Sequence, residues 1–291
     1  MDFIGHKKQW EFLINTAKNG KTSHSFIFSG QESLGKSKVA LAFIAYLNKG
    51  KMTYPDLILI EPQGKETKID QIRDLKAILA LKPRVASFRA VIIDQAHTLN
   101  EEAQNCLLKT LEEPKAQTIF ILITSFEEML LGTVRSRCQT LKFFPISEQE
   151  MEQGFSDKKG LPYFNEVLQM AQGRPGVAFD FFNNSEAFGE KQKTIKQIEK
   201  LLQGDIAERF SFSAKFFGKA PDKDKEARNV VPFLDEMLEC LRFTLLRQAQ
   251  ANLNGLLALK EKIENVEGLK FLAITSNINQ RLGFENLMLK I

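Results

Sequence analysis

The first half of the chain alternates short, continuous apolar runs with segments whose apolar residues recur every three or four positions. Ser25-Phe26-Ile27-Phe28, Leu57-Ile58-Leu59-Ile60, Ala90-Val91-Ile92-Ile93 and Ile119-Phe120-Ile121-Leu122-Ile123 have the length and side-chain types of strands. Between them, residues 38–47 and 69–81 carry a helical pattern, the second with Ile72, Leu75, Ile78 and Leu79 on one face. Asn100 is placed to cap another helix, in which Ala103, Leu107, Leu108 and Leu111 share a side, and Pro114 ends it. A strand that is apolar at every position buries both faces. Its alternation with helices predicts a parallel sheet covered on both sides.

After Pro145 strand signals become rare. Residues 147–291 read as helices, interrupted at Gly160-Leu161-Pro162, at Gly173-Arg174-Pro175-Gly176 and around residues 218–221. Leu234, Met237, Leu238, Leu241 and Leu245 form one apolar stripe, a candidate contact face between subunits or equally a face packed inside this one, since one helix alone does not show which. Leu253, Leu256 and Leu257 begin a second stripe, and Ile274, Ile278 and Leu282 a third. The expected architecture is an α/β domain over 1–146, a small helical lid over 147–186 and an all-helical domain over 187–291.

Composition narrows the class. Of 291 residues, 43% are hydrophobic and 26% charged, enough to bury a core and ordinary for a water-soluble protein. No apolar run approaches the roughly 20 residues of a membrane span, and the first residues lack a secretory-signal pattern. The three cysteines lie far apart and form no Cys-x-x-Cys pair, which argues for a reducing cytoplasm and against zinc. The net charge of +4 is carried by the first half. It permits contact with phosphates without marking a dedicated DNA-binding protein.

The chemistry begins at Gly30-Gln31-Glu32-Ser33-Leu34-Gly35-Lys36-Ser37, a complete G-x-x-x-x-G-K-S between a strand and a helix. Gly30 and Gly35 let the backbone curl so that its N–H groups face phosphate oxygens, and the helix that follows adds its positive end. Lys36 supplies a cation for the outer phosphates, and the Ser37 hydroxyl is placed for Mg²⁺. Asp94 closes the strand Val91-Ile92-Ile93 in a Walker B pattern. Alone it also reads as a strand-end or helix-capping acid; beside the phosphate loop it reads as a metal-binding carboxylate acting through water. Gln95 follows, where such ATPases normally carry a glutamate. An amide orients water but accepts no proton at neutral pH, so binding should survive this change better than hydrolysis.

Several stretches together resemble the AAA+ clamp-loader ATPases, most closely the δ′ type of bacterial DNA polymerase III. They are Ser23-His24-Ser25-Phe26-Ile27-Phe28-Ser29-Gly30, Tyr54-Pro55-Asp56-Leu57, Lys68-Ile69-Asp70-Gln71-Ile72-Arg73-Asp74-Leu75, Leu107-Leu108-Lys109-Thr110-Leu111-Glu112-Glu113-Pro114 and Ser136-Arg137-Cys138. The similarity is strongest from Ile4 to about Pro145. It implies an ATP- or ADP-binding subunit that works with Mg²⁺ and assembles with γ/τ- and δ-type partners. The assembly would load a sliding clamp onto primer-template DNA. Arg137 would be an arginine finger for a neighbour's ATP; read without the family, it is equally an intramolecular ion-pair partner. Ser125 would occupy the place of a γ-phosphate sensor, or be a simple strand-end hydroxyl.

Departures from the family pattern matter too. A four-cysteine zinc module is common after the phosphate-loop helix, and residues 46–54 hold no cysteine. Gly176 stands near the position where a motor-type loader places a lid arginine. Two alternatives stay open: a hydrolysing γ/τ-type subunit, and a scaffolding AAA+ protein outside replication. His97, His6 and His24 read as structural residues. Cys138 has no adjacent base to make it a nucleophile.

Overall fold

The computed structural model describes residues 3–50, 56–64, 66–79, 88–112, 118–218, 230–248, 253–276 and 278–291. The chain divides into two units, Met1–Asn183 and Asn184–Ile291. In the first, the elements run α1 (Lys7–Lys18), β1 (Ser25–Ser29), α2 (Lys36–Leu47), β2 (Leu57–Ile60), α3 (Ile69–Leu79), β3 (Arg89–Ile93), α4 (Glu101–Glu112), β4 (Thr118–Thr124), α5 (Gly132–Arg135) and β5 (Gln139–Lys142). The helices α6 (Glu148–Gly154), α7 (Phe164–Ala171) and α8 (Pro175–Asn183) complete it.

All five strands are parallel, in the order β2-β3-β4-β1-β5. Side chains alternate across each strand, so every apolar run feeds two cores. Ile27, Val91, Ile93, Phe120 and Leu122 meet Leu75 of α3 and Leu107 of α4 on one face. Phe26, Phe28, Ile92, Ile119 and Ile121 meet Leu13 of α1 and Phe43 of α2 on the other. The predicted doubly covered parallel sheet is thus observed. The helix expected over 69–81 is seen through Leu79, with 80 and 81 outside the described residues.

The strand order brings the C-terminal ends of β3, β4 and β1 side by side, and Ser29 lies in register with Thr124. In an open α/β sheet, loops at this end form the binding crevice. At the same end, Ser147 caps α6 in a reciprocal capping box with Glu150. The Ile146 N–H donates to the Gly173 carbonyl at 2.9 Å, tying α6 to the turn that leads into α8.

The second unit consists of α9 (Ser185–Gln203), α10 (Ile206–Phe217), α11 (Val231–Gln248), α12 (Leu253–Thr275) and α13 (Gln280–Lys290). Leu234, Met237, Leu238 and Leu241 of α11 are buried against Ile198, Val266, Leu269, Phe284 and Leu287. Of the two placements open to the Leu234 stripe, inside the unit or between subunits, Leu234, Met237, Leu238 and Leu241 take the inner one, packed among the unit's own helices. Phe212, Phe216, Phe217 and Phe233 gather around Phe284. The other two stripes do reach the surface, with Leu257, Ile274 and Leu282 more than 60% exposed. The mixed-charge stretch at 219–229 lies outside the described residues.

Candidate nucleotide site

The loop between β1 and α2 has the backbone that its glycines foretell. Gly30 has φ 151°, and a Cβ there would come within 2.4 Å of the Phe143 carbonyl oxygen, so a side chain is excluded. Ser33 and Gly35 take φ of 60° and 89°. These turns leave the loop's amides and the first turn of α2 facing a cavity of about 310 Å³. The loop is braced from behind by His6, which is 5% exposed and donates from Nε2 to the Leu34 carbonyl at 2.7 Å. Burial pulls the His6 pKa down, so near neutral pH the ring is an uncharged donor.

Lys36 is 6% exposed, and its ammonium donates to the Gly30 and Gln31 carbonyls. Desolvation brings its pKa down to about 8, while Asp94 and Glu32 pull it the other way. Ser37 Oγ donates to Asp94 Oδ2 at 3.0 Å, and the Gln95 N–H donates to Asp94 Oδ1 at 2.8 Å. The hydroxyl and carboxylate that would share Mg²⁺ are therefore already together, and the amide cradle and Lys36 fit a bound phosphate chain. Gln95 is exposed with φ 47° and lines the same cavity, as does Ser125.

Three further residues belong to the site. Thr124 ends β4 beside the phosphate loop and is 1% exposed. Its hydroxyl accepts from the Phe126 N–H at 3.0 Å and lies 3.3 Å from His97 Nδ1, toward which its own hydrogen is free to point. Burial also lowers the His97 pKa. The sequence signal for Thr124 is a polar end to an apolar strand that pairs with the strand leading into the loop. Gly176, in the first turn of α8, donates its N–H to the Ser33 carbonyl at 2.7 Å, so α8 rests directly on the phosphate loop.

Arg137 does not line this cavity. Its Nε donates to Glu112 Oε1 at 2.6 Å, its Nη2 donates to the same oxygen, and its Nη1 donates to the Thr133 carbonyl at 2.8 Å. The intramolecular ion pair is therefore present in this chain, with the Arg137 side chain one-third exposed. Next to it, Cys138 packs against the core under α4, and burial pushes its thiol up to about 12, where it is inert as a nucleophile. Among the described residues no group of three or more His, Cys, Asp or Glu is placed to hold a metal ion, and no helix is long and apolar enough to cross a membrane.

Residues 5–147 match the family model described as DNA polymerase III, delta subunit. The chain is 29% identical to DNA polymerase III subunit delta′ of Bacillus subtilis over 210 residues, covering 66% of this chain and 64% of that one. It is 27% identical to the tau/gamma subunit of Haemophilus influenzae over 226 residues, covering 69% of this chain and 33% of that one. It thus spans less than two thirds of either relative's length. A DNA polymerase III gamma subunit-related protein of Thermotoga maritima shares the fold, with a TM-score of 0.57 at 17% identity over 95% of this chain and 97% of the other. Over residues 5–147 the chain is thus similar to DNA polymerase III subunits of both the delta′ and the tau/gamma types.

Proposed function

We propose that the chain is a δ′-type subunit of a bacterial clamp loader. It assembles with γ/τ- and δ-type subunits, and the complex places a sliding clamp on primer-template DNA. Residues 30–37 hold ATP or ADP, with Ser37 and Asp94 serving its Mg²⁺, and Arg137 serves the ATP of an adjoining subunit. The three-part division at 146 and 186 assigns nucleotide binding, a lid and an oligomerisation domain in that order.

The observation that carries this reading is an intact phosphate loop next to an acid whose following residue is an amide. The loop, Lys36 and the Ser37–Asp94 pair supply what binding needs. Gln95 withholds the carboxylate that would draw a proton from attacking water. Such a subunit binds nucleotide and turns it over slowly or not at all, and its contribution to turnover is made next door. A guanidinium suits that task because its planar donors match phosphoryl oxygens as charge builds on them.

The test is ATP turnover by the assembled complex in the presence of clamp and primed DNA. Arg137→Ala should lower turnover at the site it serves by at least about tenfold while leaving assembly intact. Wild-type turnover from that variant removes the finger assignment. Steady turnover by the isolated chain replaces the δ′ reading with the γ/τ one.

A further inference from the structure

Arg137 stands on a short connection, the turn between the four-residue helix α5 and the edge strand β5. A long side chain on such a turn samples many rotamers unless something fixes it. Here the fixing group is Glu112, the last residue of α4. One carboxylate oxygen accepts from both Nε and Nη2, along one edge of the guanidinium. The Thr133 carbonyl takes a hydrogen of Nη1. A guanidinium carries five N–H donors, so these contacts leave a second Nη2 hydrogen without a protein partner among the described residues. The Ser136 hydroxyl lies 3.4 Å from Nη1, at the outer limit of a bond.

The platform beneath the carboxylate is itself held. His24 Nε2 donates to the Leu111 carbonyl at 2.9 Å, anchoring the end of α4 to the segment before β1. Earlier on α4, the buried Gln104 donates to the Leu99 and Met129 carbonyls and accepts the Leu131 N–H at 2.7 Å, fixing the approach to α5. The Cys138 side chain, next in sequence to Arg137, packs against the core. Glu112 therefore joins two elements whose spacing is set independently of it. Its side chain is 45% exposed, which makes a purely structural ion pair a weak use for it.

We propose that Glu112 is a positioning residue for Arg137: it holds one edge of the guanidinium so that the remaining donors face outward, ready for a phosphoryl group on an adjoining subunit. The proposal rests on the reading of Arg137 as a finger and adds to it the group that aims it. A charge-assisted bond along one edge restricts the guanidinium to one plane without consuming the whole fork. The entropy of ordering the side chain is then met before the neighbour arrives.

The experiment compares Glu112→Ala, Glu112→Gln, Arg137→Ala and the Glu112→Ala/Arg137→Ala double variant in the assembled complex, reading kcat and KM for ATP with clamp and primed DNA present. Glu112→Ala should lower kcat by about tenfold with KM nearly unchanged. Glu112→Gln should recover part of it, because an amide oxygen still accepts from Nε and Nη2. The double variant should be no slower than Arg137→Ala alone, a non-additivity that a structural role for Glu112 does not produce. Wild-type or raised turnover from Glu112→Ala, with Arg137→Ala still impaired, overturns the proposal and leaves the finger standing. Wild-type turnover from Arg137→Ala removes both. Failure of Glu112→Ala and Glu112→Gln to assemble makes Glu112 a structural residue and likewise overturns it.

Discussion

Lys36 is the residue in which the fold and the ligand compete. The loop buries its ammonium and gives it only backbone carbonyls, and desolvation brings its pKa down to about 8. Only the ammonium form attracts phosphate. In the free protein that form predominates below pH 8 and is lost above it, so nucleotide binding must recapture a proton at alkaline pH. Affinity should therefore weaken as pH rises, by roughly 25-fold between about pH 7.5 and pH 9.5. Titration of the chain with a fluorescent nucleotide measures this directly. A flat profile over that interval means that Lys36 does not meet phosphate as a titrating cation. Residues 30–37 could be read from sequence because they are contiguous and their chemistry is local. Thr124, His97 and Glu112 could not, because each acquires its role from a contact across the sheet or between helices.

At the scale of elements, the contact of α8 with the phosphate loop makes the sharpest demand on sequence. A Cβ at position 176 would lie 2.8 Å from the Ser33 carbonyl oxygen and 3.0 Å from its Cα. Backbone cannot swing aside as a flexible side chain does, so any larger residue forces α8 off the loop. Gly176→Ala should destabilise the chain by about 1–3 kcal/mol. It should also speed hydrogen exchange at the amide of residue 176, whose acceptor is Ser33. Unchanged exchange and an unchanged denaturant midpoint would mean that α8 is not held there in solution. Four of the five strands are legible in sequence because they are apolar on both faces, and such runs have few other uses. β5, Gln139–Lys142, is not, since as an edge strand it is half-exposed or exposed at every position. It forms because β1 offers an unpaired edge, which is a property of the sheet. The α1 helix escapes for a related reason: Leu13 is its one buried residue, and the rest of its apolar stripe is only partly covered.

For the molecule as a whole, the question is what the helices of the second unit leave uncovered. Its core is built from α9 to α13 and takes in Leu234, Met237, Leu238 and Leu241 of α11. Among the described residues, most of the exposed large apolar side chains of this unit, Ile206 of α10 aside, lie on α12 and α13. Between these helices runs a groove of about 890 Å³ whose walls include Leu272, Leu282 and Leu289. These three are 47%, 65% and 56% exposed, and Phe271 and Ile274 nearby are 65% and 62% exposed. Scattered exposed leucines need no explanation, but Leu272, Leu282 and Leu289 line one groove, a clustering of the kind that marks association. The assignment of this unit to subunit assembly therefore rests on α12 and α13. Leu282→Ser with Leu289→Ser should leave the unfolding midpoint of the isolated chain nearly unchanged, because both side chains are mostly solvated already. The same pair should sharply reduce incorporation into the complex, measured by co-purification of the reconstituted subunits. As a control, Leu234→Ser should unfold the unit by placing a hydroxyl in its core, at a cost of several kcal/mol, about 3 or more. If the paired surface variant assembles normally, the groove between α12 and α13 is not the contact, and the exposed leucines of this unit need another account.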